Sequence, residues 1–225
     1  MDLVVFDIDG TLIHSHEQEV SCFINAFNQV MGDSAINTDL TSYEHVTDTG
    51  IAQECIYRQL GRNATDKEQL AIEEAFLTLF DQSLRLNPPE PIFGVHELFE
   101  QLHQEKNLCL AIATGSYYRS AALKLKHANL LLSHLPLSSC SDSMTRIDIM
   151  KAAKQKAHKT YQVTDFRTIT YVGDGPWDIQ ASRTLAWNFI GIASNYTAEQ
   201  LKNWGAKTVI QNYHPHKNDF KTLLP

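Results

Sequence analysis

The sequence predicts an α/β architecture, a parallel sheet flanked by helices and interrupted early by a long helical stretch. Three observations carry this. The chain opens on an apolar run, Leu3-Val4-Val5-Phe6, that ends directly in carboxylates. Past residue 105, short apolar runs alternate with helical patterns, the order expected of parallel strands joined by right-handed crossovers. Between these two regions, residues 15–88 hold almost no strand pattern and much helical pattern.

Taken in order, residues 3–6 read as a buried strand, and Asp9-Gly10-Thr11 as the turn that ends it. Residues 17–31 place Val20, Phe23, Ile24, Phe27, Val30 and Met31 at helical spacing. Residues 50–60 repeat this with Ile51, Cys55, Ile56 and Leu60. Residues 66–86 do so again with Leu70, Ala71, Ala75, Leu79 and Phe80. Asn87-Pro88-Pro89-Glu90-Pro91 is a stiff break, after which 94–104 resumes a helix. A strand over 108–113 follows, then helices over 117–128 and 146–159. The rest reads as strand 168–172, helix 177–186, strand 188–193, helix 197–204 and strand 207–210.

Composition bounds the function. The 225 residues, 43% of them hydrophobic, suffice for one large domain or two small ones. A net charge of -7 argues against nonspecific nucleic-acid binding. No run approaches a membrane span, and Met1-Asp2 before a short apolar strand is no signal peptide. Cys22, Cys55, Cys109 and Cys140 share no metal or redox spacing, so reduced thiols in a cytoplasmic protein are expected. A monomer or homodimer with no membrane partner is the matching expectation.

The chemistry lies at three strand ends. Asp7 and Asp9, two apart in an extended segment, point the same way at the carboxyl end of a strand, where open α/β sheets bind ligands. Two adjacent carboxylates repel unless a proton or a cation intervenes. The run 108–113 ends in Thr114-Gly115-Ser116, a hydroxyl on a glycine turn before a helix, suited to oxyanion binding. The run 168–172 ends in Gly173-Asp174-Gly175-Pro176-Trp177-Asp178, with Pro176 placed to open a helix. Any one of these turns is ordinary loop chemistry; the three in this order are not.

Here the chain resembles the haloacid dehalogenase-like (HAD) hydrolases, phosphatase branch. Asp7-Ile8-Asp9-Gly10-Thr11-Leu12 looks like that family's first motif, Thr114-Gly115 its second, and Gly173 to Asp178 its fourth. The third motif, a basic residue at a helix start, is matched in register by Thr145-Arg146-Ile147-Asp148-Ile149-Met150, with arginine where lysine is usual. The resemblance implies a Rossmann-like core (1–14 and 89–225) carrying an α-helical cap (15–88) over the site. It also implies a Mg²⁺-dependent, phosphoglycolate phosphatase-like enzyme acting on a small phosphorylated metabolite. Phosphoglycolate-like compounds or sugar phosphates lead as substrates, with nucleotide monophosphates behind.

Residue by residue, Asp7 is the expected nucleophile, forming an aspartyl phosphate. Asp9 protonates the leaving alcohol and then activates water. Thr114 with the N–H groups of Gly115 and Ser116 would hold phosphate oxygens. Asp7, the Asp9 carbonyl and Asp174 would ligate magnesium, with Asp178, one helical turn after Asp174, a direct or water-bridged ligand. Arg146 supplies the third-motif charge, and Lys151 is its competitor; the two do not share a helix face. Arginine grips phosphate with two parallel N–H bonds.

Other features are read more plainly. His14 and His16 sit at the hinge after the catalytic turn, without a metal shell. In Thr47-Asp48-Thr49-Gly50, Asp48 or Thr49 is the expected helix N-cap, in a loop that the resemblance brings near the substrate. Arg58 and Arg62 read as solvated helix charges rather than grips for a second anion, and His214-Pro215-His216 as a surface turn. Asp9 and Asp174 argue against a dehalogenase, which needs neither acid nor metal. Lys67, the only lysine before residue 88, makes imine-based phosphonate hydrolysis weak. A sugar phosphomutase using the same intermediate and a catalytically weak binding or regulatory module are the alternatives.

Overall fold

A computed structural model describes residues 1–14, 17–34, 36–214 and 220–224. Six strands form one parallel sheet: β1 (Asp2–Phe6), β2 (Leu108–Ala113), β3 (Leu137–Ser138), β4 (Ile169–Gly173), β5 (Asn188–Ile192) and β6 (Thr208–Ile210). Their order is β3-β2-β1-β4-β5-β6, and every pairing is parallel. The chain leaves β1 toward β2 on one side and returns to β4 on the other, so the sheet reverses its winding beside β1. A crevice at the carboxyl ends of β1, β2 and β4 follows from that reversal.

Strand alternation divides the core cleanly. Leu3, Val5, Cys109, Ala111, Ile169 and Tyr171 face one side; Val4, Phe6, Leu110, Ile112, Val172 and Ile190 face the other. Helix α4 (Val95–Leu102) covers the second side with Val95, Leu98, Phe99 and Leu102, joined by Ala121 and Leu125 of α5 (Tyr118–His127). Helix α6 (Arg146–Tyr161) covers the first with Ile149, Met150, Ala153 and Ala157. Helices α7 (Pro176–Thr184) and α8 (Ala198–Trp204) complete the alternation, with Pro176 at the first helical position of α7.

The insertion after β1 is helical: α1 (Glu17–Met31), α2 (Asp48–Leu60) and α3 (Asp66–Leu86). Thr65 and Glu68 form a reciprocal capping box that starts α3. Phe23, Ile56, Phe76 and Phe80 pack into the same apolar cluster as the first sheet face. The Phe76 and Tyr117 rings, with centroids 6.1 Å apart, join the two parts. The insertion is thus seated on the sheet by continuous apolar contact.

Two local features differ from the sequence reading. The edge strand β3 pairs only Ile112 with Leu137 and Ala113 with Ser138, too short to leave a periodic trace. The N-cap of α2 is Thr47, not Asp48 or Thr49, because its Oγ1 accepts from the Gly50 N–H at 3.1 Å. Arg58 pairs with Glu54 and lies over the Tyr43 ring, while Arg62 pairs with Glu68. His14 is exposed and His214 stacks on Phe93; His16, Pro215 and His216 lie outside the described residues. All four cysteines are free thiols. No described helix is long and apolar enough to cross a membrane.

Candidate active site

Three adjacent strand ends assemble the site. The Asp7 N–H donates to the Val172 carbonyl at 2.9 Å, which fixes the residue just beyond β1 beside the end of β4. Asp7, Asp174 and Asp178 are all buried, and each offers an oxygen within 4.8 Å of the others. Gly10, at φ +67°, lets the turn pass close to Asp174; a Cβ there would sit 2.1 Å from Asp174 Oδ2. Asp178 starts one turn later on α7, and its Oδ2 accepts from the Gly175 N–H at 3.2 Å.

Arg146 enters from the first residue of α6. Thr145 caps that helix by accepting from the Asp148 N–H, so the guanidinium leaves from its N-terminal end. Its Nη1 donates to Asp7 Oδ1 at 3.3 Å, and its Nε lies 3.4 Å from Asp178 Oδ1 without hydrogen-bond geometry. Only 10% of the Arg146 side chain is exposed. Lys151 is on the surface and pairs with Asp148 at 3.1 Å. The basic side chain brought to the carboxylates is therefore Arg146.

The second strand end packs against both. Thr114 Oγ1 accepts from the Ser116 N–H at 3.2 Å, so that N–H is engaged within its own turn. A Cβ on Gly115 would lie 2.8 Å from Arg146 Nη2 and 2.8 Å from the Val46 carbonyl, which is why this turn carries glycine. The Ser116 hydroxyl donates to Asp9 Oδ2 at 2.9 Å. Asp9 and Asp7 line the same cavity, while Asp9 Oδ2 is thereby tied toward α5.

There it meets a residue that the motif reading missed. Lys124, on α5, is 1% exposed, and its Nζ donates to Asp9 Oδ2 at 2.5 Å, Glu19 Oε1 at 2.7 Å and Ser116 Oγ at 2.7 Å. Burial opposes its charge, but Asp9, Glu19 and Asp48 more than offset that and hold Lys124 above the ordinary lysine range. The signal was a lysine sharing a helix stripe with Ser120, Ala121 and Leu125, all buried. Its partners, 115 and 105 residues away in sequence, left no local mark. Asn195 was missed as well; its Nδ2 donates to Asp174 Oδ2 at 2.7 Å.

Glu19 belongs to α1, so the lysine also ties the insertion to the sheet. The loop before α2 does the same. The Asp48 N–H donates to the Gly115 carbonyl at 2.9 Å, and Asp48 Oδ2 accepts from the Tyr117 N–H at 2.8 Å. Thr47 Oγ1 donates to the Met144 carbonyl at 2.8 Å, and Arg146 Nη2 to the Val46 carbonyl at 3.3 Å. A cavity of about 420 Å³ lies between insertion and sheet, with Asp7, Thr114 and Arg146 at its floor.

A family model of haloacid dehalogenase-like hydrolases matches residues 1–185. The chain belongs to the haloacid dehalogenase-like hydrolases. Among solved structures, a hydrolase from Pseudomonas syringae is 22% identical, with 98% of each chain covered and a TM-score of 0.75. CbbY from Rhodobacter sphaeroides, in complex with xylulose-(1,5)bisphosphate, is 16% identical, with 94% of each chain covered and a TM-score of 0.69. A predicted phosphoglycolate phosphatase from Haemophilus somnus is 17% identical, covering 99% of this chain and 97% of its own, with a TM-score of 0.63. At these identities the likeness is one of fold. No curated protein sequence matches.

The donor set of this HAD-like hydrolase fits a hard divalent cation. Burial first, then the charges of Asp178 and Asp9, lift the Asp7 carboxyl to about 7 against the pull of Arg146. Burial and neighbouring carboxylates raise Asp174 well above the usual carboxylate range, and burial raises Asp178. Asp178 Oδ1 accepts no hydrogen bond although it is buried. Clustered, dehydrated carboxylate oxygens of this kind are relieved by a hard cation with an all-oxygen preference.

Proposed function

We propose that this enzyme is a Mg²⁺-dependent phosphomonoesterase that hydrolyses a small phosphorylated metabolite through an aspartyl phosphate on Asp7. One observation carries the reading: a buried carboxylate at a strand end, contacted by one guanidinium and grouped with two further carboxylates. Phosphoryl transfer needs little else than an in-line nucleophile and dense positive charge around the equatorial oxygens.

In this reading Asp7 attacks phosphorus as the ester P–O bond breaks, and Asp9 gives its proton to the departing alkoxide. Asp9 then takes a proton from the water that opens the aspartyl phosphate, releasing phosphate and restoring the Asp7 carboxylate and the protonated Asp9. Ser116 and Lys124 fix the orientation of Asp9 for both transfers. Arg146 offsets charge on the equatorial oxygens, and the Thr114 hydroxyl with the Gly115 N–H receives the remaining phosphate oxygens. Asp7, the Asp9 carbonyl, Asp174 and Asp178 would hold magnesium, which when bound supplies positive charge opposite the phosphate. Residues 15–88 act as the cap over a core of 1–14 and 89–225, excluding water while the site is closed.

The test is turnover of an activated aryl phosphate. Chelation should silence it and added Mg²⁺ should restore it. Full activity in excess chelator would remove the metal from the account.

A further inference from the structure

Resting on the phosphatase reading, the cavity also speaks to the alcohol that is released. Its volume of about 420 Å³ lies within the range of small-molecule sites, roughly 300–1,000 Å³. Its walls are mostly apolar, with Val20, Phe23 and Ile24 from α1, Ile51 from α2, and Trp177 and Tyr196 from the sheet side, and include the polar side chains Asn37, Thr38, Thr47 and Asn195. Val20, at the rim, is 42% exposed. The Trp177 and Tyr196 rings meet edge to face, with centroids 6.2 Å apart.

Charge in the cavity points the same way. Of the described residues that line it, Arg146 is the sole basic one, and that guanidinium already contacts Asp7 and Asp178. The insertion contributes two acids, Glu19 and Asp48, and no cation. Its arginines are engaged elsewhere: Arg58 with Glu54, Arg62 with Glu68, Arg85 with Asp81. A carboxylate or second phosphate on the substrate would meet the acids Glu19 and Asp48 and no cation that is not already paired, Lys124 with Glu19 and Arg146 with Asp7. Asn37, Thr47 and Asn195 already hydrogen-bond within the protein, so a sugar would lay most of its hydroxyls against alkyl and aromatic walls and lose more water than the lining replaces.

We propose that the leaving alcohol is uncharged and largely apolar, an aryl-methyl or branched alkyl alcohol. The substrate is then a monoester whose phosphate is its one charged group, in preference to a sugar phosphate, a bisphosphate or a phosphorylated hydroxy acid.

Four esters of primary alcohols test this, so that leaving-group acidity does not set the order: benzyl phosphate, isopentyl phosphate, the primary-hydroxyl phosphate of glucose, and phosphoglycolate. With Mg²⁺ present, kcat/KM for the first two should exceed the last two by about tenfold or more, the size of effect one buried apolar group gives. Equal or better turnover of the glucose ester or phosphoglycolate would overturn the proposal. Val20→Lys, at the exposed rim, should narrow the gap by favouring phosphoglycolate, and an unchanged ratio would count against the charge argument. Calorimetric titration of the same esters ranks affinity without turnover. Should no ester be hydrolysed, the phosphatase reading fails. The proposed preference then stands if the apolar esters bind more tightly, and falls if the sugar ester or phosphoglycolate does.

Discussion

Replacing Lys124 by methionine keeps a long unbranched chain in place while removing the ammonium that three partners share. Asp9 Oδ2, Glu19 Oε1 and Ser116 Oγ lie 2.5, 2.7 and 2.7 Å from Nζ, so Lys124→Met leaves two carboxylates facing each other over an apolar stem. Removing one partner of a buried ion pair costs about 3–5 kcal/mol. The lower end applies here, because Asp9 and Glu19 keep 25% and 18% of their side chains open to water. Burial and then Asp9 already push Glu19 up to about 8, so protonation relieves part of the penalty. With a loss of about 3 kcal/mol, Tm should fall by about 6–12 °C for a chain of this size. An acid whose folded pKa is raised stabilises most below its unfolded value and loses that stability as pH rises through the folded one. Without the ammonium Glu19 rises further still, so the deficit of Lys124→Met against the parent should grow as pH rises through about 8, where Glu19 ionises in the parent and stays protonated in the variant. Calorimetric unfolding of the variant and of Lys124→Met/Glu19→Gln reads both effects; the double variant should recover part of the loss. A Tm within about 2 °C of the parent at every pH would refute the reasoning.

Further outcomes follow from the same geometry. Arg146→Ala should lower turnover about a hundredfold or more, the roughly 2.7–4 kcal/mol that a preorganised charged donor contributes, and Arg146→Lys should recover part. Lys151→Ala, which removes an exposed pair with Asp148, should be nearly silent in the same steady-state assay; a crippled Lys151→Ala beside a healthy Arg146→Ala would contradict the placement. Magnesium binding requires ionised carboxylates, so its apparent affinity should weaken as pH falls below about 7, where Asp7 takes a proton; pH-independent binding by titration calorimetry would contradict this. Asp174→Ala should raise the Mg²⁺ concentration needed for half-maximal activity far more than Asp178→Ala, whose carboxylate already serves the Gly175 N–H and faces Arg146. Equal shifts in the two variants would remove the distinction.

Much of the fold was legible because its signals are local. The alternation of apolar runs with helical stripes located β1, β2, β4, β5 and β6 along with the helices, since parallel strands buried on both faces read as continuous apolar runs. The helical insertion was visible by the same periodicity, with α1 and α3 spanning the residues that the apolar spacing marks out. Strand β3 was not, because two residues define no period. Asp7, Asp9, Thr114 and Asp174 were legible because each follows a strand end, where backbone pattern and side-chain chemistry coincide. Lys124 and Asn195 were not, because each gains its role from a partner on another element. The cap of α2 was misread by one residue because Thr47, Asp48 and Thr49 all have capping chemistry. Only the backbone decides which of them is extended, and Thr47 sits at φ -145°, ψ 154°.

The central claim is that Asp7 carries the phosphoryl group, and rapid acid quenching of turnover tests it most directly. Enzyme mixed with Mg²⁺ and a substrate bearing a radiolabelled phosphoryl group should yield labelled protein within the first turnover. The label should be stable to acid, released by hydroxylamine as an acyl phosphate is, and confined to the peptide that contains Asp7. The Asp7→Asn variant should carry none. Phosphate release without labelled enzyme, or label on a peptide lacking Asp7, would contradict the account.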